Sequence, residues 1–208
     1  MNKLNQILIA GLLSLMAVSS ANATLMMTVS DGVDTFTATD TDGDGMLSLT
    51  GVFGSWAVSA NTAFTNPFVG NDYLEVMHLN SVNVSGGVGS LTIMLTDIDF
   101  SMSNYNINVG GTSQGTVDFA AFADLMNGEF AMTDGLYSES FGTGAFAGSK
   151  SGNIIDDSYS LTLVANVNHT GAGQITSFDF EVKIPEPAQL ALLGLSLLLL
   201  GFASRKKS

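Results

Sequence analysis

Three aspartates at alternate positions form the best candidate for a metal site in this sequence. The segment DTDGDGMLSLTG begins with Asp40, Asp42 and Asp44, and Gly45 follows them. Three carboxylates beside a tight glycine turn suit a hard cation such as calcium, and D-x-D-x-D-G is the opening of an EF-hand loop. The match ends at Gly51, which stands where an EF-hand needs a bidentate Glu, and a strand pattern follows rather than a helix. Two interpretations stay open: a calcium loop that takes further oxygens from elsewhere in the chain, or an acidic hairpin turn without a specific ligand.

The chain has two histidines, His78 and His169, and no cysteine. This set cannot form a usual structural zinc site, which needs four Cys or His ligands. A site of two histidines and one carboxylate would require both rings to lie on one rim of the fold. We expect instead an ordinary strand histidine at 78 and an ordinary turn histidine at 169.

No catalytic residue is predicted, and we expect the protein not to be an enzyme. The sequence lacks the H-E-x-x-H motif and the P-loop motif. Paired carboxylates such as Asp97 with Asp99 and Asp156 with Asp157 could in principle carry out glycoside hydrolysis, which uses two carboxylates. Neighbouring acids at strand ends are usually solvated, so a secreted hydrolase is the third of three functional readings.

Period-two alternation of apolar and polar residues predicts the elements that position these groups. Such runs, broken by Gly, Asn, Ser and Asp, indicate antiparallel sheets with one face toward water. In ITSFDFEVKI, one face carries Phe178, Phe180, Val182 and Ile184, and the other carries Asp179, Glu181 and Lys183. SLTIMLTDIDF, SYSLTLVANVNH, DYLEVMHL and MLSLTGVFGSWAVSA give similar signals. FAAFADLM fits a short helix or an edge strand, and VSGGVGS and FGTGAFAGSKSG are predicted turns and loops. The expected fold is one all-β domain over residues 24–184, an antiparallel β-sandwich or a jelly-roll-like fold.

The composition limits the partners. Nineteen acidic residues face six basic ones, for a formal net charge of −13, and only Lys150 and Lys183 lie between the two ends of the chain. Nucleic acid is excluded as a partner, because phosphate binding needs clustered Lys and Arg. Trp56 and four tyrosines could stack on sugar rings, but the single Trp lies in a strand pattern, which favours core packing.

The N-terminus fits a secretory signal over residues 1–23. Lys3 precedes the apolar run ILIAGLLSLMAV, which is too short to span a bilayer easily, and the small residues Ala21 and Ala23 fit signal-peptidase cleavage after Ala23. The alternatives are an uncleaved anchor and a buried helix.

The C-terminus has a different sequence pattern. After two prolines that flank Glu186, residues 188–203 are almost wholly apolar and three cations follow. A helix over those 16 residues would reach about 24 Å, a little less than the ~30 Å hydrocarbon core, which the flanks can extend. The cations should stay on the cytoplasmic side, which leaves the body outside the inner membrane. A buried C-terminal core helix is the alternative.

This tail resembles a PEP-CTERM sorting signal, in which Pro-Glu-Pro precedes a short Leu- and Gly-rich membrane helix and a basic end. The matching residues are Pro185, Glu186 and Pro187, the run 188–203, and Arg205, Lys206 and Lys207. Ile184 stands where Val is commoner, and two of the three cations are Lys rather than Arg. The same tail is sometimes labelled as the C-terminal domain of an ice-binding protein, a label that carries no evidence about ice.

The resemblance covers about 25 residues and implies a cellular route rather than a chemistry. It implies a Gram-negative bacterium that makes exopolysaccharide, signal peptidase and exosortase as processing enzymes, transient anchoring in the inner membrane, and the outer surface or biofilm matrix as destination. The first functional hypothesis is therefore an exported non-catalytic surface or matrix protein. The alternative is a carbohydrate-binding module, with calcium at Asp40, Asp42 and Asp44 as the only cofactor considered.

Overall fold

The computed structural model describes residues 25–66, 68–70, 74–101, 103–154 and 158–185. Within these residues the chain forms twelve β-strands and no helix, so it presents no helix that would cross a bilayer there. The strands are Met26–Ser30 (β1), Thr35–Thr39 (β2), Met46–Phe53 (β3), Trp56–Phe64 (β4), Leu74–Gly86 (β5), Gly89–Phe100 (β6), Asn104–Ser113 (β7), Thr116–Asp124 (β8), Asp134–Phe141 (β9), Gly144–Asn153 (β10), Tyr159–His169 (β11) and Gln174–Pro185 (β12).

The strands form two six-stranded sheets in which every pairing is antiparallel. Sheet 1 has the order β2-β1-β6-β11-β8-β9, and sheet 2 has the order β10-β7-β12-β5-β4-β3. From β5 onward, the two strands of each of the pairs β5/β6, β7/β8, β9/β10 and β11/β12 lie in different sheets. The resulting orders, β6-β11-β8-β9 and β10-β7-β12-β5, are those of an eight-stranded jelly roll. The prediction of an all-β antiparallel sandwich is confirmed.

The core lies between the sheets and is built from the apolar faces that the alternation predicts. Phe119 of β8 is its centre, with its ring 5.0 Å from that of Phe178 and 5.2 Å from that of Phe180, both on β12 in the opposite sheet. The rings of Phe141 and Phe146 lie 6.0 and 5.7 Å from it. The contacts with Phe178, Phe180 and Phe146 join the two sheets, whereas Phe141 lies on β9 in the same sheet as Phe119. Each aromatic contact adds to the burial term.

Two local predictions are wrong. The segment FAAFADLM is neither a helix nor an edge strand, because β8 runs to Asp124 and pairs with both β11 and β9. The glycine-rich segment FGTGAFAGSKSG is not a loop, because Gly144–Asn153 pairs with β7 along its whole length. As an edge strand, β10 faces water over most of its surface and so needs few apolar residues. Gly148 lacks the side chain that would collide with Tyr137 and Glu139.

Strand β12 carries the chain directly into the C-terminal segment. It lies inside sheet 2 between β5 and β7, and its last residue, Pro185, pairs with Leu74 of β5. The first proline of the Pro-Glu-Pro triplet is therefore part of the sandwich. Within the described residues, β12 reaches the triplet without an intervening linker.

Candidate functional site

The three aspartates of the predicted metal loop do come together. They lie between β2 and β3, and one carboxylate oxygen from each of Asp40, Asp42 and Asp44 falls within 4.8 Å of the others. Asp40 is buried, with 7% of its surface exposed, whereas the other two face solvent. The loop thus has one fixed carboxylate and two exposed ones.

The side chain of Asp40 holds the loop closed by accepting hydrogen bonds from the backbone of the loop. One carboxylate oxygen accepts the N–H of Gly43 and the other accepts the N–H of Gly45, both at 2.9 Å. Gly45 has φ of +77°, and a Cβ there would lie 2.7 Å from the carbonyl oxygen of Thr65. Only glycine fits this position without strain. Asp44 accepts the N–H of Met46 at 2.9 Å, which fixes the start of β3.

The electrostatics of the loop distinguish Asp40 from Asp42. Burial opposes ionisation of Asp40, but hydrogen bonds from Gly45, Asp42 and Gly43 outweigh it, so its pKa lies below the ordinary value. The pKa of Asp42 is raised, first by its hydrogen bond to Asp40 and then by the charge of Asp44. The cluster therefore carries like-charge repulsion that a divalent cation would relieve. The arrangement fits both interpretations, a cation site and a self-bonded turn.

The two histidines lie in different places and do not share a site. His169, at the end of β11, is fully buried with its ring 4.9 Å from Trp56, and its Nε2 is 3.0 Å from the hydroxyl of Thr176. Its Nδ1 has no hydrogen-bond partner among the described residues. Burial lowers the pKa of His169, and the backbone of Gly86 opposes the shift. His78 lies on the outer face of sheet 2, in a separate depression.

A serine pattern that the sequence reasoning missed lies beside His169. Gly111, Ser113 and Gly115 fit G-x-S-x-G, the signature of a nucleophile elbow. The structure places Ser113 at the end of β7, in a turn between two strands rather than between a strand and a helix. Its hydroxyl is 2.7 Å from that of Thr176 and accepts the N–H of Gly115. Ser113 is 4% exposed, so the pattern forms a buried polar contact between neighbouring strands.

The carboxylates considered for hydrolysis have separate partners. Asp97 is buried and accepts the hydroxyl of Thr65 at 2.6 Å and the N–H of Ile98 at 2.8 Å. Asp99 is exposed at a positive φ of 64° and accepts the side-chain amide of Asn127 at 2.6 Å. Each of these hydrogen bonds fixes the loop or strand end to which its carboxylate belongs.

The aromatic residues considered for sugar stacking belong to the core. Trp56 is 2% exposed, and three of the four tyrosines are buried. The remaining candidates fall outside the described residues: Tyr73, Asp156, Asp157, Ala21, Ala23, Glu186, Pro187, Arg205, Lys206 and Lys207.

A depression on the outer face of sheet 2 is a concave site that the sequence reasoning missed. It crosses β7, β12 and β5 near their middles and has a volume of about 410 Å³. Most of its lining residues have polar side chains, and one valine and one glycine complete the set: His78, Asn80, Asn108, Val109, Gly110, Asp179 and Glu181.

His78 sits between two carboxylates in this depression. Its Nε2 is 4.0 Å from Asp179 and its Nδ1 is 3.9 Å from Glu181. Burial lowers the pKa of His78, although both carboxylates oppose the shift. Glu181 also pairs with Lys183 at 2.8 Å, and Asp179 accepts the N–H of Ser81 at 2.7 Å. The ring is therefore expected to be neutral near pH 7, with one nitrogen donating and the other accepting.

Aromatic side chains lie next to the depression. Phe64 of β4 is 6.5 Å from the His78 ring between centroids, and Phe68 stacks on Phe64 at 4.8 Å with an angle of 5° between the planes. Phe68 is 51% exposed. Phe64 thus links His78 of the depression to the exposed ring of Phe68.

Comparison with known proteins identifies only the C-terminal segment. The family described as "PEP-CTERM protein-sorting motif" matches residues 183–207. The chain carries a PEP-CTERM sorting motif. The match covers the tail that the sequence analysis related to this family, and the motif overlaps the last three residues of β12. No curated protein matches this chain significantly.

Solved structures give weak similarities to the sandwich. A carbohydrate-binding module, TmCBM27, studied for mannan recognition, has 11% identity and a TM-score of 0.32 over 69% of this chain and 90% of its own. The CBM36-1 domain of a multidomain xylanase from the hindgut metagenome of Trinervitermes trinervoides has 12% identity and a TM-score of 0.32 over 68% and 97%. The enzymatically active domain of bacteriophage CBA120 tailspike protein 4 has 18% identity and a TM-score of 0.33. The match covers 60% of this chain and 18% of that one. Similarity at this level supports no functional inference.

Proposed function

We propose that the protein is an exported, non-catalytic surface or extracellular-matrix protein that an exosortase-type enzyme sorts by its tail. The observation that carries this proposal is the PEP-CTERM motif at residues 183–207. The chain is then the substrate of the processing enzyme. Pro185 is the last described residue of the inner strand β12, and Pro187 lacks the backbone N–H that a continuing inner strand would need, so we expect the strand not to extend through the triplet.

The proposed route has three stages. The segment 1–23 directs export and is removed after Ala23. The apolar run 188–203 then stops transfer as a transmembrane helix, with the cations on the cytoplasmic side and the sandwich in the periplasm of a Gram-negative bacterium. Processing near the triplet finally releases the sandwich to the outer surface or to an exopolysaccharide matrix.

Replacement of the triplet separates sorting from anchoring. In the variant Pro185→Ala, Glu186→Ala, Pro187→Ala, the apolar run and the cations are unchanged, so the protein should still reach the membrane. We expect it to stay there at full length, whereas the wild type leaves the membrane in a shorter form. Lys150→Ala, on the exposed edge strand β10, is the control and should behave as wild type. Equal mass and equal distribution of the wild type and the triplet variant would refute the proposed role of the motif.

A second candidate function is that of a carbohydrate-binding module. The polar depression beside Phe68 on the outer face of sheet 2 is the observation that favours it. Calcium at the Asp40 loop remains a separate prediction, because each interpretation of that loop is compatible with its geometry. A secreted hydrolase stays the third reading, because the hydrogen bonds from Thr65 to Asp97 and from Asn127 to Asp99 do not point to paired catalytic carboxylates.

A further inference from the structure

The register of sheet 2 aligns a row of side chains across five strands. Glu181 of β12 is paired with Asn108 of β7 on one side and with His78 of β5 on the other. Asn108 is in turn paired with Ser149 of β10, and His78 with Phe64 of β4. Directly paired residues project from the same face of a sheet, and neighbouring strands lie ~4.8 Å apart. The row is therefore about 19 Å long, since it crosses four such spacings.

A second row provides the floor of the depression. Asp179 is paired with Gly110, and Gly110 is paired with Ala147. These two small residues leave the space beside Asp179 open. On the other side, the register shifts between Phe178 and Phe180, and such bulges redirect side chains. The shift places Asp179 where it accepts the N–H of Ser81 at 2.7 Å.

The chemistry of this face selects among ligands. The carboxylates accept hydrogen bonds, the side-chain amides of Asn80 and Asn108 both donate and accept, and a neutral imidazole does one of each. Such closely spaced donors and acceptors match a ligand that presents many hydroxyl groups. A metal ion fits poorly, because Asp179 and Glu181 approach opposite nitrogens of His78 and one ion cannot take both. The two carboxylates also disfavour an anionic ligand.

The exposed ring of Phe68 provides an apolar surface against which a ligand can pack. It continues the aromatic stack that begins with Phe64, which belongs to the row. An aromatic face can pack against the C–H face of a sugar ring, and the polar groups beside it can bind the hydroxyls of the same or the next ring. We propose that the outer face of sheet 2 binds a neutral saccharide chain, laid across β7, β12 and β5 in the depression and stacked on Phe68. This proposal rests on the second candidate function above.

Gly110 makes the proposal testable without removing a binding group. A Cβ at this position would have only the carbonyl oxygen of Phe146 nearby, at 3.6 Å, so a larger side chain can enter the depression without a backbone clash. Gly135 of β9 is the matched control, because it also lies on a strand, outside the positive-φ region, with nothing within 4 Å of an added Cβ. The pair to compare is Gly110→Trp with Gly135→Trp.

The binding experiment uses the full chain in a detergent without a sugar headgroup. The probes are neutral oligosaccharides of glucan, galactan, mannan and xylan, with anionic alginate oligosaccharide as the counter-probe. We expect at least one neutral probe to bind, Gly110→Trp to weaken it by about tenfold or more, and Gly135→Trp to bind as wild type. The unfolding midpoint of each variant shows whether it is folded.

The histidines give a second readout that needs no variant. The chain has two, so their ring signals in a proton NMR spectrum can be assigned with one substitution. A bound neutral saccharide should shift the signals of His78 and leave those of buried His169 in place. Binding by no neutral probe, tighter binding of alginate, an unmoved His78 signal, or full binding by a folded Gly110→Trp variant would each overturn the proposal. The sorting proposal is tested by a separate measurement, the distribution of the protein between membrane and surroundings, which Gly110→Trp should not alter.

Discussion

Replacement of Asp40 tests the physical basis of the acidic loop. In Asp40→Ala, the N–H groups of Gly43 and Gly45 lose their acceptor. The first is exposed and can bond to water, but Gly45 is buried against Thr65 and its N–H has no evident substitute. Loss of a hydrogen bond to a charged group costs about 1.5–3 kcal/mol, and a buried unsatisfied donor about 1–3 kcal/mol. Because part of this is offset by reduced repulsion with Asp42, we expect a net destabilisation of about 2–4 kcal/mol.

The assay is thermal unfolding followed by tryptophan fluorescence. Trp56 is the single tryptophan and is 2% exposed, so its emission reports the opening of the core. For a protein of this length, 1 kcal/mol corresponds to about 2–4 °C, and the midpoint should fall by about 5–15 °C. The matched control is Asp42→Asn, which removes a charge from an exposed residue whose pKa is raised by its acidic neighbours. It should leave the midpoint unchanged or raise it. An Asp40→Ala protein as stable as the wild type would refute the reasoning.

Three further predictions concern metal binding, pH and the core. If the acidic loop binds calcium, a millimolar concentration should raise the unfolding midpoint of the wild type but not of Asp42→Asn; no rise in either protein would leave the loop as a turn. Burial lowers the pKa of His169 in the folded state, so the unfolded chain takes up the proton first as the pH falls below about 6.5. The free energy of unfolding should therefore decrease there by up to ~1.4 kcal/mol per pH unit. Denaturant titrations of His169→Gln should show a shallower decrease than the wild type, and equal slopes would contradict this prediction. Phe119→Ala should lower the free energy of unfolding by about 3–5 kcal/mol in the same titrations, because it leaves a cavity between the sheets. A decrease below about 1 kcal/mol would show that the core does not depend on this ring.

The alternation of residues was sufficient to predict which face of many strands is buried. Phe178, Phe180 and Val182 are all at most 1% exposed, as their positions in ITSFDFEVKI predict. The rule depends only on the two-residue period of a strand, which is local. It failed for Gly144–Asn153, because an edge strand with water on its outer side carries no strong apolar signal, and its glycines resemble those of a loop.

The two candidate sites differ in how far the sequence can reveal them. Asp40, Asp42 and Asp44 meet because one tight turn joins them, so their spacing was enough. The depression depends on β12 pairing with β5 and β7, which brings Glu181 beside His78 across more than a hundred residues of chain. Nothing in the local pattern specifies a strand's neighbours, so its outward side chains could be predicted to be exposed but not to share a site.

The most direct test of the central claim is the mass of the mature protein's C-terminus. Protein recovered from the cell surface or the medium would be digested and its C-terminal peptide measured by mass spectrometry. The proposed sorting predicts a chain that ends near Pro185–Pro187, without the apolar run and the basic residues. A surface protein that still ends in Arg205, Lys206, Lys207 and Ser208 would contradict it.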